Sequence, residues 1–131
     1  MPLSESQLAR LSRLLDQRHR LLIDEVRDEL ERSENQQYVE LIDRSPADIG
    51  DQSVGDALAD LNLAIIDRHI REIRDIEQAT ARVKDGRIAI CIDCGQEIEF
   101  KRLLAYPTAK RCLLCQQQRE RTYAHEGTPT L

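Results

Sequence analysis

Four cysteines are the residues of this sequence best suited to chemistry, because they fall into two closely spaced pairs. Two residues separate Cys91 from Cys94, two separate Cys112 from Cys115, and seventeen lie between the pairs. This spacing is typical of a site where four thiolates hold one zinc ion in a tetrahedron. Since four sulfur ligands leave no position for water or substrate, the sequence predicts a structural zinc rather than a catalytic one.

Other interpretations of the cysteines fit the sequence less well than zinc. Four cysteines can also hold an iron–sulfur cluster, although this spacing is more usual for zinc. A redox pair or four unrelated buried thiols fit poorly, because all four cysteines of the chain belong to the pattern. Gly95 follows the first pair and permits a tight turn around a metal. The segment 86–125 has few apolar side chains, so we expect metal binding to supply its folding free energy.

The rest of this segment predicts little regular structure. Ile88, Ile90 and Ile92 alternate with other residues, as in a short strand, and a final helix is expected from Cys112 to about Tyr123. The segment also holds basic residues that either offset the thiolate charge or form a weakly basic contact patch. They are Arg87, Lys101, Arg102, Lys110, Arg111, Arg119 and Arg121.

A second group of candidate residues is a pair of carboxylates. Asp48 and Asp51 lie three positions apart in a stretch from 45 to 55 that is rich in Pro, Gly, Asp and Ser. Aspartate suits turns and helix starts for purely structural reasons. The alternative is that the two carboxylates are presented to a distant target rich in cations. Composition does not distinguish between these two interpretations.

Two long helices are predicted to present this acidic turn. Apolar residues recur every three or four positions from Leu8 to Leu30, which predicts one helix from about Ser4 to about Asp43, roughly 60 Å long. Ser4 and Gln7 have the spacing of a capping box, and Pro46 ends the helix. A second amphipathic helix, roughly 45 Å long, follows from about Ser53 to Gly86.

The predicted fold class is mainly α. We expect a long antiparallel helical hairpin, an imperfect coiled coil, over residues 1–85 with an acidic tip at 45–55. A small four-cysteine zinc-finger module with a final short helix follows at 86–125, and 126–131 is a loose tail. A bundle completed by dimerisation is the alternative, and a monomer is favoured. Only 3% of the residues are aromatic and 33% are charged, as in solvated helices.

Charge and hydropathy narrow the classes of partner. Residues 1–85 hold 12 basic and 19 acidic side chains, whereas residues 86–131 hold 7 and 5. The acidic part would be repelled by phosphate backbones and would suit a partner with a basic groove.

The sequence has neither a signal peptide nor an apolar run long enough for a membrane span. These features, with four cysteines, predict a reducing compartment, the cytoplasm.

The sequence resembles the DksA/TraR family of zinc-finger proteins. Asp48, Asp51 and Ser53 match the positions of the family's D-x-x-D-x-A tip motif, and the similarity extends over roughly residues 45–122. The zinc-finger residues that carry the resemblance are Cys91, Cys94, Gly95, Ile98, Arg102, Leu103, Ala105, Pro107, Thr108, Ala109, Cys112 and Cys115.

The resemblance implies a bacterial transcription regulator that is not an enzyme. Proteins of this family bind RNA polymerase, not promoter DNA, and insert a coiled-coil tip through its secondary channel. By this similarity, Asp48, Asp51 and Ser53 act near the polymerase active site, and Arg68 docks against the polymerase rim. The alternative is a zinc-stapled adaptor or oligomerisation module without polymerase contact. A zinc-ribbon nucleic-acid binder fits poorly with a net charge of −5.

The chain departs from the family pattern at four positions, one at the tip and three associated with the alarmone. Ser53 stands where alanine is usual at the tip, which adds a hydroxyl group and little volume. Family members that respond to the alarmone guanosine tetraphosphate carry basic residues where this chain has Asp75, Tyr106 and Gln116. Because a phosphate ligand needs cations, we expect alarmone coupling at the zinc-module interface to be weak or absent.

Overall fold

The computed structural model describes residues 3–44, 52–61 and 63–126. These ranges are mainly α, as predicted, and contain no strand, because the alternating isoleucines near residue 90 form only an isolated antiparallel bridge between Ile90 and Glu97. The helices are α1 (Glu5–Arg32), α2 (Gln36–Arg44), α3 (Gln52–Ala59), α4 (Ala64–Lys84), α5 (Phe100–Ala105) and α6 (Leu113–Glu126).

Helices α1 and α4 pack against each other as an antiparallel hairpin. The apolar stripe predicted for each helix forms their common seam, where every buried leucine or isoleucine contributes about 1.5–3 kcal/mol. The predicted capping box is present at the start of α1, where the Gln7 N–H donates to Ser4 Oγ. The buried seam residues are Leu11, Leu15, Leu22, Ile23, Val26 and Leu30 from α1, and Ile66, Ile70, Ile73, Ile76 and Ala79 from α4.

Polar pairs cross the hairpin beside this seam. The Arg18 guanidinium donates two hydrogen bonds to the Glu72 carboxylate, from Nε at 2.6 Å and from Nη2 at 2.9 Å. His69 Nε2 lies 2.8 Å from Glu25 Oε2, so this histidine belongs to the edge of the seam. These pairs join α1 to α4 at fixed positions and therefore define the register of the hairpin.

The first helix is shorter than predicted, because the chain reverses after Arg32. Glu34 has a positive φ of 61°. The Glu34 N–H donates to the Glu31 carbonyl, and the Asn35 N–H donates to the Leu30 carbonyl. These two bonds form a Schellman motif, which usually has glycine at the position of Glu34. The prediction of one continuous helix to Asp43 was wrong, because nothing local signals this left-handed residue.

Helix α2 folds back along α1 after this reversal. Arg27 of α1 pairs with Asp43 of α2, which would be impossible in a continuous helix, where the two residues would lie about 24 Å apart. Val39 and Ile42 are buried against α1. The left-handed conformation costs about 1–2 kcal/mol at a residue other than glycine. Burial of these two apolar side chains offsets that cost.

The second predicted helix is likewise divided in two. Helix α3 ends at Ala59 and α4 begins at Ala64, where the preceding residue, Leu63, is extended and provides no side-chain cap. Leu58 is fully buried and Gly55 is also buried. The guanidinium of Arg74 on α4 lies directly against Gly55, so the two helices contact each other. Helix α3 therefore folds back along α4 instead of extending it.

The end of α4 matches the prediction. Gly86 has a φ of 72°, its N–H donates to the Val83 carbonyl, and the Arg87 N–H donates to the Arg82 carbonyl. Beyond it, the short helix α5 was not predicted; its Leu103 is fully buried and continues the core from the hairpin. Helix α6 extends to Glu126, one residue into the predicted tail, and residues 127–131 lie outside the described ranges.

Among the described helices, none combines the length and the apolar composition needed to cross a bilayer.

Candidate metal centre

The four cysteine sulfurs converge on one point, as their spacing predicts. All four Sγ atoms lie within 4.8 Å of one another, and the Cys94 and Cys112 sulfurs are 3.8 Å apart. Zinc–sulfur bonds of about 2.3 Å in a tetrahedron require sulfurs about 3.8 Å apart. The cluster therefore fits a tetrahedral zinc ion. In the part of the chain that the structure describes, it is the only such group of cysteine, histidine and acidic side chains.

Each cysteine pair is held by its local backbone. In the first pair, Gly95 has a φ of 74°, and its N–H donates to the Cys91 carbonyl at 3.0 Å. This turn needs glycine, as predicted, because other residues avoid such a φ. In the second pair, Cys112 precedes α6, Cys115 lies in its first turn, and the Gln116 N–H donates to the Cys112 carbonyl. A turn and a helix start thus present the two halves of the site.

Hydrogen bonds also join the two halves of the site. The Ile92 N–H donates to the Lys110 carbonyl at 3.0 Å. Arg111 donates from Nε to Asp93 at 2.8 Å, and Arg102 donates from Nε to the Arg111 carbonyl at 3.1 Å. Two of the basic residues considered for a contact patch, Arg102 and Arg111, thus stabilise the module internally.

Without a metal, the clustered thiols have their pKa values shifted in opposite directions. Burial raises the pKa of the Cys91 thiol, but hydrogen bonds from the backbone of Cys112, Cys94 and Asp93 lower it more, to about 6. Hydrogen bonds with Cys112 and Cys94, burial and repulsion from the Cys112 thiolate all raise the pKa of Cys115. A divalent cation at the centre removes this repulsion and displaces the protons. The cluster therefore binds one structural zinc ion through four sulfurs, which leave no position for a substrate.

A mainly apolar cleft of about 770 Å³ includes the metal site, since Cys94, Cys112 and Cys115 are among the residues that line it. Tyr106, Leu113 and Leu114 line it, and these side chains are 56%, 55% and 77% exposed. Such large exposed apolar side chains are typical of a surface that contacts another molecule. The sequence did not single out this cleft, because the turn after α5 and the start of α6 meet only in the folded module.

The predicted tip residues can be placed only in part. Asp48 and Asp51 lie outside the described residues, and Ser53 lies in α3. Their proximity is therefore still a prediction. Arg68, the predicted docking residue, is exposed on α4 and available to a partner.

Two of the three positions considered for alarmone contacts, Asp75 and Tyr106, lie at the junction of the hairpin and the zinc module. Asp75 on α4 is 3.5 Å from Lys110 Nζ, so this ion pair joins the two regions. Tyr106 is exposed, and Gln116 donates to Glu120 at 3.1 Å. A second cleft, of about 430 Å³, lies between α1, α4 and the turn after α5, and Asp75 and Tyr106 both line it. Sequence spacing gave no sign of this cleft, because its walls come from three distant segments.

Comparisons with known proteins agree with this metal site. Residues 85–121 match the family model described as the prokaryotic dksA/traR C4-type zinc finger. The chain is 31% identical over 113 residues to the RNA polymerase-binding transcription factor DksA of Escherichia coli K12, covering 86% of this chain and 71% of that protein. It is 34% identical over 95 residues to an uncharacterized protein of Aquifex aeolicus, of which it spans 63%.

A solved structure shows the same fold. Transcription factor DksA2 from Pseudomonas aeruginosa matches with a TM-score of 0.65 and 24% identity, over 93% of this chain and 89% of that chain. Four sulfurs in zinc geometry, a matching zinc-finger model and a relative aligned over most of its length agree with one another. The chain belongs to the DksA/TraR family.

Proposed function

We propose that this protein regulates bacterial transcription by binding RNA polymerase and inserting its acidic hairpin through the secondary channel to modulate initiation. The observation that carries this proposal is the similarity to E. coli DksA, named an RNA polymerase-binding transcription factor, over 86% of the chain. The protein acts in the cytoplasm as a monomer that makes no direct contact with promoter DNA.

The hairpin has properties that suit this role. Helix α1 has 28 residues and is therefore about 42 Å long, and the 7 excess acidic charges of residues 1–85 favour a channel with a basic lining. Asp48 and Asp51 are the residues that act near the polymerase active site, and Ser53 follows them closely in the sequence. Arg68, exposed on the same hairpin, docks against the outer rim of the polymerase. The metal has no chemical part in this mechanism, since four sulfurs saturate it.

Alarmone coupling through the zinc-module interface is weak or absent in this proposal. A polyphosphate ligand needs unpaired cations. In the described region around Asp75, Lys110 pairs with that aspartate and Arg18 pairs with Glu72. These two cations are thus already paired with carboxylates and are less available to a phosphate.

The second candidate function is that of a zinc-stapled adaptor without polymerase contact. The apolar cleft between Tyr106, Leu113 and Leu114 favours it, because it offers an uncovered surface for a protein partner. The two functions differ in which part of the molecule produces the effect on the partner. A regulator of polymerase works through the acidic segment, whereas an adaptor works through the zinc module.

In vitro transcription tests the proposal directly. Purified bacterial RNA polymerase would initiate on a stable-RNA promoter in the presence of wild-type protein or an Asp48→Asn/Asp51→Asn variant, with and without the alarmone. The matched control is Asp16→Asn/Asp24→Asn, which removes the same charge from exposed positions on α1. We expect wild type and control to change initiation and the variant of the acidic pair to lose most of this effect while still binding polymerase.

The other outcomes are equally informative. If the control loses as much activity as the Asp48/Asp51 variant, overall charge and not the acidic pair is responsible. If no form of the protein changes transcription or binds polymerase, the adaptor function replaces this one. A several-fold larger effect in the presence of alarmone would contradict the interpretation of Asp75.

A further inference from the structure

One flank of the α1–α4 hairpin carries an exposed leucine between two ion pairs. The pairs cross from α1 to α4 and join Arg18 to Glu72 and Glu25 to His69. Leu21 lies three positions after Arg18 and four before Glu25, so it lies on the same side of α1 as both of them. Leu21 is 48% exposed and is therefore largely uncovered on this flank.

Helix α4 adds two more side chains to the same flank. Ile65 lies four positions before His69 and is 42% exposed. Arg68 lies four positions before Glu72 and three after Ile65, and it is exposed as well. Residues three or four positions apart are neighbours on a helix, so Ile65 and Arg68 border the two ion pairs from the α4 side. Leu21, Ile65 and Arg68 thus form one surface, the lateral patch.

The lateral patch concentrates the exposed apolar surface of the hairpin. Among the described residues of 1–85, Leu21 and Ile65 are the two large apolar side chains that are exposed. Leu21 is about level with residue 71 of α4, and Ile65 lies about six residues farther along, which is about 9 Å. One exposed apolar residue is ordinary, but these two lie close together on one flank. Their burial against a partner would remove apolar surface from water and so stabilise a complex.

The charges around the lateral patch single out Arg68. Arg18 donates two hydrogen bonds to Glu72, and His69 Nε2 lies 2.8 Å from Glu25 Oε2. Arg68, by contrast, forms no ion pair with any other residue that the structure describes. Arginine is enriched at protein–protein interfaces, and its guanidinium binds carboxylates through two parallel hydrogen bonds. The surface complementary to this patch therefore has a carboxylate next to apolar side chains.

We propose that the lateral patch is the docking surface of the hairpin, and that it fits a polymerase surface with a carboxylate facing Arg68 and apolar side chains facing Leu21 and Ile65. This inference rests on the proposed function, in which Arg68 contacts the polymerase rim. It adds two apolar residues to that contact and assigns the flank of the hairpin that faces polymerase. The zinc module adjoins this flank, since Tyr106 and Arg18 both line the cleft of about 430 Å³.

Substitutions of the two apolar residues test the proposal through the affinity for purified bacterial RNA polymerase, measured with protein labelled fluorescently at its N-terminus. Leu21→Gln and Ile65→Gln introduce a polar residue that also favours helix. We expect each to weaken binding about fivefold, because about half of each side chain would become buried in the complex. The double variant should weaken binding about twenty-five-fold. Ile65→Leu keeps the apolar surface and should bind within about twofold of wild type.

The dependence on salt separates the charged contact from the apolar ones. Arg68→Ala should weaken binding about tenfold and should make the affinity less sensitive to salt, because it removes a charge from the interface. The glutamine variants should keep the salt dependence of wild type and should act mainly by speeding dissociation.

Arg71→Ala is the matched control for Arg68→Ala. Arg71 is exposed on the same helix and, within the described part of the chain, forms no ion pair. Each step of three residues turns about 60° around a helix, so Arg71 lies about 120° around α4 from Ile65. Its variant should bind within about twofold of wild type. Leu114→Ser, at an exposed apolar residue of the zinc module, is the control for the glutamine variants and should bind like wild type. Urea denaturation and zinc content confirm that each variant is folded.

Three results would overturn the proposal and leave the proposed function intact. In the first, folded glutamine variants bind polymerase as tightly as wild type. In the second, Arg71→Ala weakens binding as much as Arg68→Ala, so that overall charge and not the lateral patch is responsible. In the third, Leu114→Ser weakens binding and the glutamine variants do not, which would place the contact on the zinc module. Failure of the proposed function looks different, because the wild-type protein itself would then not bind polymerase.

Discussion

The α1–α4 hairpin and the zinc module adjoin at Gly86, yet different interactions stabilise them. Along the hairpin, eleven buried apolar residues of α1 and α4 share the stabilisation, each contributing a small part. In the described part of the module, the fully or nearly buried residues are Ile88, Cys91, Ile98, Leu103 and Ala109. So small an apolar core supplies little stability, and the four sulfurs and their metal supply the rest.

This difference determines how each region responds to damage. Loss of one leucine from the hairpin leaves ten other seam residues in place, so the response should be graded. Loss of one sulfur from the module removes a ligand on which the whole metal site depends, so the response should be nearly complete. The predictions below test this contrast, beginning with the largest effect.

Cys112→Ser should remove the metal and unfold residues 86–122, because structural zinc contributes on the order of 10 kcal/mol to the folding of such modules. We expect bound zinc, measured by mass spectrometry, to fall below detection, and the amides of the module to lose protection from hydrogen exchange. The amides of α1 and α4 should stay protected. Leu114→Ser, a change at a 77% exposed neighbour of the site, is the control. Unchanged protection without zinc would contradict a structural role for the metal.

Leu22→Ala should lower the free energy of unfolding of the hairpin by about 2–5 kcal/mol, since Leu22 is fully buried in the seam. Its neighbour Leu21 is 48% exposed, so Leu21→Ala should cost less than about 1 kcal/mol. Urea denaturation followed by circular dichroism measures both. Zinc content should stay at one ion per chain in each variant. Equal costs at the two positions would mean that the α1–α4 seam is not the main source of stability.

Glu72→Gln should have the smallest effect, and one that depends on pH. The hydrogen bond with Arg18 lowers the pKa of Glu72 below its usual 4.5, and burial opposes this shift. The pair therefore stabilises the hairpin above the pKa of the unfolded chain and is lost as pH falls through the lower folded pKa. Because both side chains are more than a third exposed, the contribution is under about 1 kcal/mol. Denaturation between pH 7 and pH 3 measures it: the variant should be less stable than wild type at pH 7, and the difference should shrink as the pH falls.

Much of the site and the fold class could be predicted because their signals are local. Cys91 and Cys94 are close in sequence, as are Cys112 and Cys115, and each pair is completed by a turn or a helix start that the neighbouring residues encode. Gly86 was identified as the end of a helix because the left-handed conformation there requires glycine. The buried face of α1 could likewise be predicted, since residues three or four positions apart lie on the same face of a helix.

The reversals at Glu34 and before Ala64 could not be predicted from local signals. Glu34 adopts the same left-handed conformation as Gly86, but its side chain disfavours that conformation, so sequence propensity indicated a continuing helix. The break is stabilised elsewhere, by Val39 and Ile42 against α1. Helix α5 was missed because six residues are too few to show helical periodicity.

The sequence by itself determined the metal ligands, the mainly helical class and the faces that each long helix buries, because each depends on residues within a few positions of one another. Only the tertiary structure decided where the helices reverse and that Asp75 pairs with Lys110 across the junction of hairpin and module. The physical reason is that these features depend on contacts between distant segments. The free energy of such contacts outweighs local backbone preferences only after the chain has folded.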